Sequence, residues 1–471
     1  MRQLGALDNL MIEGDIPNIP MHMSALMIYE TGGKKGTEAL YTAMQENFDD
    51  LVEHYFPILR CRIEDVPLQL DKAYWVEDEH FSPNYHISRV ALPKTQNWQQ
   101  LYSLFGQFHA QPLDRARPLW QVMVVEGLDR LEGVPRGSAA LFLKIHHAVM
   151  DGKSALRLIT GLHSPGPEPE SPKFADSMAD QEPIDKNFQP PSWWEKYGRA
   201  WWHSIERPVD MATTLVKLLP QLLHPNEPGT KEEGQAIPQL RFNQPVAADR
   251  IVGHVRMDMQ QVRNVEKKFH CTINDIALCV VAGALRTHLL AENELPDENL
   301  QTLMPIDIRR QGQDGHIGNH VSVAKVCLYT VIDDAGKRLQ AISKVSSQSK
   351  KRRKKTESHA LLKLVDDIHP AIIIWLGQWL IDSGHIDDLP PFVNTVVTNV
   401  PGLSSDAYLA GAKLIDYLGF GPLAPSMGLF HTVSSTSDHV NISFLSTAEF
   451  MGDGSAYRAA LEQSWAELSG L

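Results

Sequence analysis

Cysteine is scarce in this 471-residue chain: Cys61, Cys271, Cys279 and Cys327 are the only four, and none forms a CxxC pair. That spacing excludes a dense disulfide framework and argues against a thiolate zinc site, so a reducing cytoplasm is the simplest home. Positive charge is also short, with 44 Lys+Arg against 57 Asp+Glu and a net charge of −13. Global attraction to nucleic acid is not expected, and an anionic ligand must be met locally. Long apolar runs are missing too. A spanning helix needs roughly 20 consecutive apolar residues, and the best stretch, Ala371 to Ile381, is interrupted by Gly377 and Gln378. Asp8 and Glu13 precede any apolar h-region, so no secretory signal is expected. No fixed-period repeat or heptad array is present, which removes solenoids and coiled coils.

What remains is an ordinary globular composition, 43% hydrophobic and 21% charged. Strand-like Ala25 to Tyr29 precedes a helical pattern from Thr37 to His54. Two apolar stretches, Gln121 to Val125 and Ala139 to Ile145, flank a Gly/Pro turn as an antiparallel pair would. From Ser164 to Pro191 seven prolines and six acidic residues rule out a helix or a central strand. Helical islands follow at Trp193 to Glu206 and Val209 to Leu223. The second half resumes with an apolar helix, Ile273 to Leu290, strand-like Val321 to Tyr329, Phe392 to Val400 and Val440 to Leu445, and a terminal helix, Ala456 to Leu468. The pattern predicts an α/β protein of two similar halves, 1–163 and 251–471, joined by a Pro-rich crossover, 164–250.

One segment carries chemistry. His146 and His147 end an apolar strand and lead through Ala148-Val149-Met150 to Asp151-Gly152 and a helical stretch from Ser154 to Leu162. A neutral imidazole takes a proton from an alcohol as that oxygen attacks a carbonyl, provided its other nitrogen is held in one tautomer. Adjacent side chains on extended backbone point oppositely, so only one of the two faces a given cavity.

The HHxxxDG spacing resembles the active-site signature of the CoA-dependent acyltransferase superfamily, which includes chloramphenicol acetyltransferase and peptide-synthetase condensation domains. Pro112-Leu113-Asp114-Arg115-Ala116-Arg117-Pro118-Leu119-Trp120, Asn274-Asp275, Pro305 to Arg310 with Gly318-Asn319, and Thr398 to Gly402 narrow the resemblance to the bacterial wax ester synthase/diacylglycerol acyltransferase family. It covers nearly the whole chain. The DFGWG block of the plant and chloramphenicol enzymes is missing.

The resemblance implies two chloramphenicol-acetyltransferase-like domains with mixed sheets, and an active site at their interface with His147 midway along a solvent channel. It implies transfer of a long-chain acyl group from acyl-CoA to a fatty alcohol or to diacylglycerol. Acyl-CoA would be a co-substrate, with no resident cofactor, no metal and no covalent intermediate. By it, His147 is the general base, and Asp151 is a structural ion-pair partner with Arg309 or Arg310 as its cation. Gly152 permits a tight turn, and His146 and Asp275 support the site. Asn274 either polarises the thioester carbonyl or caps its helix. Trp120 divides between substrate contact and core packing, and Asp114 with Arg115 or Arg117 is expected to form a structural ion pair. Ser154 lacks a nucleophile-elbow context. A carrier-dependent condensation enzyme and a non-catalytic lipid-binding or lipid-droplet protein are the competing readings.

Two surface features bear on partners. Lys350, Lys351, Arg352, Arg353, Lys354 and Lys355 are consecutive cations, suited to CoA phosphates, to anionic headgroups or simply to solvent. Trp193, Trp194, Trp201 and Trp202 fall on one side of a helix with Lys196 and Arg199 on the other. That fits peripheral contact with a membrane or lipid inclusion, and equally a strap across the domains. Gly421 to Phe430 is a candidate wall for an acyl tunnel.

Overall fold

The computed structural model describes residues 2–16, 18–93, 97–168, 188–203, 237–307, 321–352, 379, 383, 391–400, 402–403 and 406–471. The first half contributes β1 (Arg2–Gln3), β2 (His22–Glu30), β3 (Cys61–Glu64), β4 (Tyr74–Glu77), β5 (Ile87–Ala91), β6 (Trp120–Glu126) and β7 (Ser138–His146). The second contributes β8 (Ile251–Asp258), β9 (Gln301–Asp307), β10 (Val321–Cys327), β11 (Thr395–Asn399), β12 (Tyr408–Leu409), β13 (Ala412–Phe420), β14 (Phe430–Ser435) and β15 (His439–Ser446). They form two six-stranded mixed sheets, ordered β12-β13-β2-β7-β6-β5 and β10-β9-β11-β14-β15-β8, and a small β1-β4-β3 sheet. The α/β reading with mixed sheets therefore holds.

Strand β7 explains the architecture. Its sequence is apolar almost throughout and all nine residues are buried, as a strand covered on both faces requires. It lies antiparallel between β2 and β6. On one face Leu141 and Leu143 share a core with Leu40 and Met44 of the helix Lys34–His54 and Leu158 and Ile159 of the helix Gly152–Leu162. On the other, Phe142 meets the helix Trp98–Ala110, whose Phe105 ring centre is 5.0 Å from Phe142 and 4.6 Å from Phe420. That helix binds the halves together. Gly106 lets it approach the Arg250 carbonyl so closely that a Cβ would collide, and Tyr102 shares a 2.8 Å hydrogen bond with His254 on β8.

The sheets do not divide where the chain does. The sequence pattern assigns residues 408–420 to the second half, yet β13 pairs with β2, from Lys413 against Glu30 to Phe420 against Ser24. At its irregularity Asp416 is fully buried, paired with Arg256 of β8 and accepting from Asn441 Nδ2 of β15 at 2.6 Å. A carboxylate out of water needs such partners, and they come from the other sheet, so the exchange of β13 is tied to the contact between halves.

The helix Ile273–Ala291 is long and apolar enough to cross a membrane, but most of it is buried within the second half, as the core helix of a globular domain is. Within the stretch Gly421 to Phe430 two glycines are closely packed: a Cβ at Gly421 would strike the Phe430 ring and one at Gly428 the Phe450 ring. Residues 209–223 and most of 371–381 lie outside the described residues.

Residues 193–203 are helical. Ala200 is buried against Val66, Tyr74 and Val76, Lys196 pairs with Glu64, and His203 Nδ1 lies 2.7 Å from Asp71. The polar side is thus strapped to the small sheet. The other side presents Trp193, Trp194, Trp201 and Trp202 at 56, 78, 67 and 55% exposure. Leu68, in a turn flanked by Val66 and Leu70 of the same small cluster, is 85% exposed at φ +58°.

Candidate active site

At the end of β7 the alternation of extended backbone separates the two histidines. The His146 side chain is fully buried, whereas His147 is half-buried. The His146 N–H donates to the Leu119 carbonyl at 3.0 Å, and the His147 N–H donates to the Met21 carbonyl at 2.8 Å. The chain then turns, with the Val149 N–H donating to the His146 carbonyl at 3.0 Å. Asp151, itself buried, accepts from the Ser154 N–H at 2.8 Å and caps the helix Gly152–Leu162. Its expected cation, Arg309, lies outside the described residues, as do Arg310, Gly318 and Asn319. Gly152 does not need its conformational freedom: it is the first helical residue, without a positive φ, and a Cβ there would meet open space.

The block ending in Trp120 braces this strand end rather than touching substrate. Trp120 is fully buried, pairs with Ile145, donates from Nε1 to the Leu59 carbonyl at 2.8 Å, and stacks on His86 at 4.3 Å. Its expected substrate contact is therefore corrected to core packing. Asp114 pairs with neither neighbouring arginine. Arg115 lies 3.3 Å from Asp65 and Arg117 3.3 Å from Asp78, while Asp114 accepts from the Ala116 N–H at 2.9 Å and turns its own loop. A carboxylate satisfied by the nearest backbone leaves adjacent cations to more distant partners.

A layer that the sequence pattern did not single out lies behind the histidines. Lys144 is fully buried and donates to the carbonyls of Phe108 and Gln111, each at 2.7 Å. Burial pulls its pKa down to about 7, against a smaller upward pull from Asp15. His22 is 3.1 Å from the Gln111 carbonyl with its ring 6.2 Å from that of His146, and His109 shares a 2.8 Å hydrogen bond with Ser24. Burial holds both rings well below the usual histidine pKa, so they are neutral at pH 7. The only sequence signal was polar residues in otherwise apolar elements, His22 and Lys144 on strands and His109 on the helix Trp98–Ala110.

In the second half Thr272, not Asn274, caps the helix Ile273–Ala291, and Asp275 returns the bond as a capping box. The N-cap reading of Asn274 is thereby excluded. Its side chain is half-buried, with Nδ2 3.3 Å from the Met304 sulfur on β9. Lys350, Lys351 and Arg352 close the helix Ala335–Arg352. Their side chains, and Arg353, are outside the described part.

Two packed α/β sheets and a histidine at the end of a central strand define the HHxxxDG acyltransferase class. The sequence matches the wax ester synthase/diacylglycerol acyltransferase catalytic domain over residues 4–277 and the corresponding C-terminal domain over 317–469. The chain belongs to that family. It is 28% identical to the O-acyltransferase WSD of Acinetobacter baylyi, across 88% of this chain and 85% of that one. It is 27% identical to a protein of Mycobacterium tuberculosis named as a diacylglycerol O-acyltransferase, across 96% and 87%. In fold it is similar to the wax ester synthase/diacylglycerol acyltransferase of Marinobacter aquaeolei VT8, with TM-score 0.70, 24% identity and 100% of both chains covered. The starter condensation domain of rhizomide synthetase shares the fold more distantly, at TM-score 0.53, 15% identity and coverage of 100% and 94%.

Proposed function

We propose that the chain moves a long-chain acyl group from acyl-CoA to the hydroxyl of a fatty alcohol or of diacylglycerol, with His147 as general base. The placement of His147 carries the reading: half-buried, at the end of a buried strand, with its backbone tied to Met21. The imidazole takes the hydroxyl proton as the alcohol oxygen attacks the thioester carbon. The tetrahedral adduct then expels the CoA thiolate, which receives that proton. Asn274 donates to the developing oxyanion by exchanging the weak acceptor Met304 Sδ for a strong one. Acyl-CoA is consumed as a co-substrate, and the scheme needs no resident cofactor.

Purified protein given palmitoyl-CoA and hexadecanol, with no carrier protein, is expected to release thiol only when the alcohol or diacylglycerol is present. Silence with both acceptors over several acyl lengths, in folded protein, would remove the reading.

The acceptors partition into lipid, so the enzyme works at a membrane or lipid-inclusion surface on the cytoplasmic side, and the tryptophan face is the contact. Indoles favour the headgroup boundary, and this face is preorganised by the anchors of its opposite side to Glu64 and Asp71. Replacing Trp193, Trp194, Trp201 and Trp202 together by serine is expected to weaken co-sedimentation with zwitterionic vesicles by on the order of 10²-fold. The melting temperature should stay put, because the rings face solvent. Unchanged vesicle binding would move the contact elsewhere.

A further inference from the structure

A general base in a turn is effective only when its ring is held to one orientation. Two peptide planes fix the backbone on either side of the His147 Cα, and the N–H of each is spoken for. The His147 N–H donates to the Met21 carbonyl at 2.8 Å. The Ala148 N–H donates to His146 Nδ1 at 3.1 Å. Both paths lead to one carboxylate. The Met21 N–H donates to Asp15 Oδ1 at 3.0 Å, and His146 Nε2 faces Asp15 Oδ2 at 3.5 Å.

The chemistry of the second path is directional. Because Nδ1 accepts, a neutral His146 ring carries its proton on Nε2. That nitrogen is buried, makes no hydrogen bond among the described residues, and has the Asp15 carboxylate as its near neighbour. The 3.5 Å separation is longer than an ordinary N–H···O bond, and such bonds around a reacting centre commonly tighten when substrate closes the site. Asp15 is only 9% exposed. Asp15 also exerts an upward electrostatic pull on buried Lys144, whose Nζ is anchored to the Phe108 and Gln111 carbonyls.

We propose that Asp15 is a positioning residue for the transfer reaction. One of its oxygens anchors Met21 and through it His147, and the other sets the tautomer of His146 and through it the peptide that follows His147. The role rests on the reading of His147 as the base.

Asp15→Asn is the discriminating change. Its amide oxygen still accepts from Met21, but its NH₂ group confronts the His146 Nε2–H. The ring must then move its proton to Nδ1 and lose the bond from Ala148. The expected result is a fall in kcat of about 10²-fold, with KM for palmitoyl-CoA and for hexadecanol within about twofold and an unchanged melting temperature. His146→Asn offers the Ala148 N–H an amide oxygen that needs no carboxylate. In that background Asp15→Asn should therefore cost less than it does alone.

If Asp15→Asn does not fold, Asp15→Glu keeps the charge but displaces the carboxylate by one methylene, and it must also lower kcat. Wild-type kcat in either folded variant, or losses from Asp15→Asn and His146→Asn that simply multiply, overturns the proposal. His147→Ala measured alongside separates the two failures. A drop there with none at Asp15 removes only the positioning role, whereas no drop at His147 removes the catalytic reading itself.

Discussion

Replacing His147 by alanine is expected to lower turnover by about 10²- to 10⁴-fold, the usual scale of general acid–base catalysis, in a protein that folds as before. The two halves of that expectation have separate physical sources. The bond that holds the turn is made by the His147 backbone N–H to Met21, and alanine keeps it. The side chain is half-buried, so its removal opens no sealed cavity of the kind that destabilises a core. KM for acyl-CoA should change little, because the loss falls on an interaction made as the proton moves. His146→Ala should behave differently. That ring is fully buried and accepts from Ala148, so its loss should show in stability first. Unaltered alcohol-dependent thiol release in the folded His147→Ala protein would move the role of general base to another residue.

The parts of this molecule legible in the sequence are those written in local pattern. The apolar run Ala139 to Ile145 is β7, and the run Ile273 to Leu290 is the core helix, short of its C-terminal end by one residue. The alternation of extended backbone also anticipates unlike surroundings for the two histidines, His146 being fully buried and His147 half-buried. What was not legible depends on partners far away in the chain. Nothing around Asp15 marks it, since its contact to His146 spans the distance from the first loop to the end of β7 and exists only once β2 has paired with β7. The strand β13 reads as ordinary second-half sequence, and only the buried Asp416 with Arg256 hints that it bridges two sheets. The arginines of the Pro112 to Trp120 block failed for a related reason. Sequence proximity favoured Asp114, but backbone geometry had already engaged it.

Trp120 separates a binding role from a structural one with the largest stability effect anticipated for a residue near the site. Truncation of a fully buried indole to alanine costs about 3–5 kcal/mol, and here it also strips the Leu59 carbonyl of its donor and the His86 ring of its stacking partner. Chemical denaturation of Trp120→Ala should therefore show a much lower midpoint, and the His86 to Trp120 stack places the damage at β6, next to the catalytic strand. Trp120→Phe keeps most of the packing and loses the Nε1 bond, so it should cost about 1–3 kcal/mol, the penalty of an orphaned buried carbonyl. The activity per folded molecule of Trp120→Phe should stay close to wild type, because the indole lies fully buried in the core. The opposite pattern, native stability with a raised KM for acyl-CoA, would return Trp120 to the substrate. It would also mean that the strand end is braced from elsewhere, with the Leu119 carbonyl on the His146 N–H as the remaining link between this block and the catalytic turn.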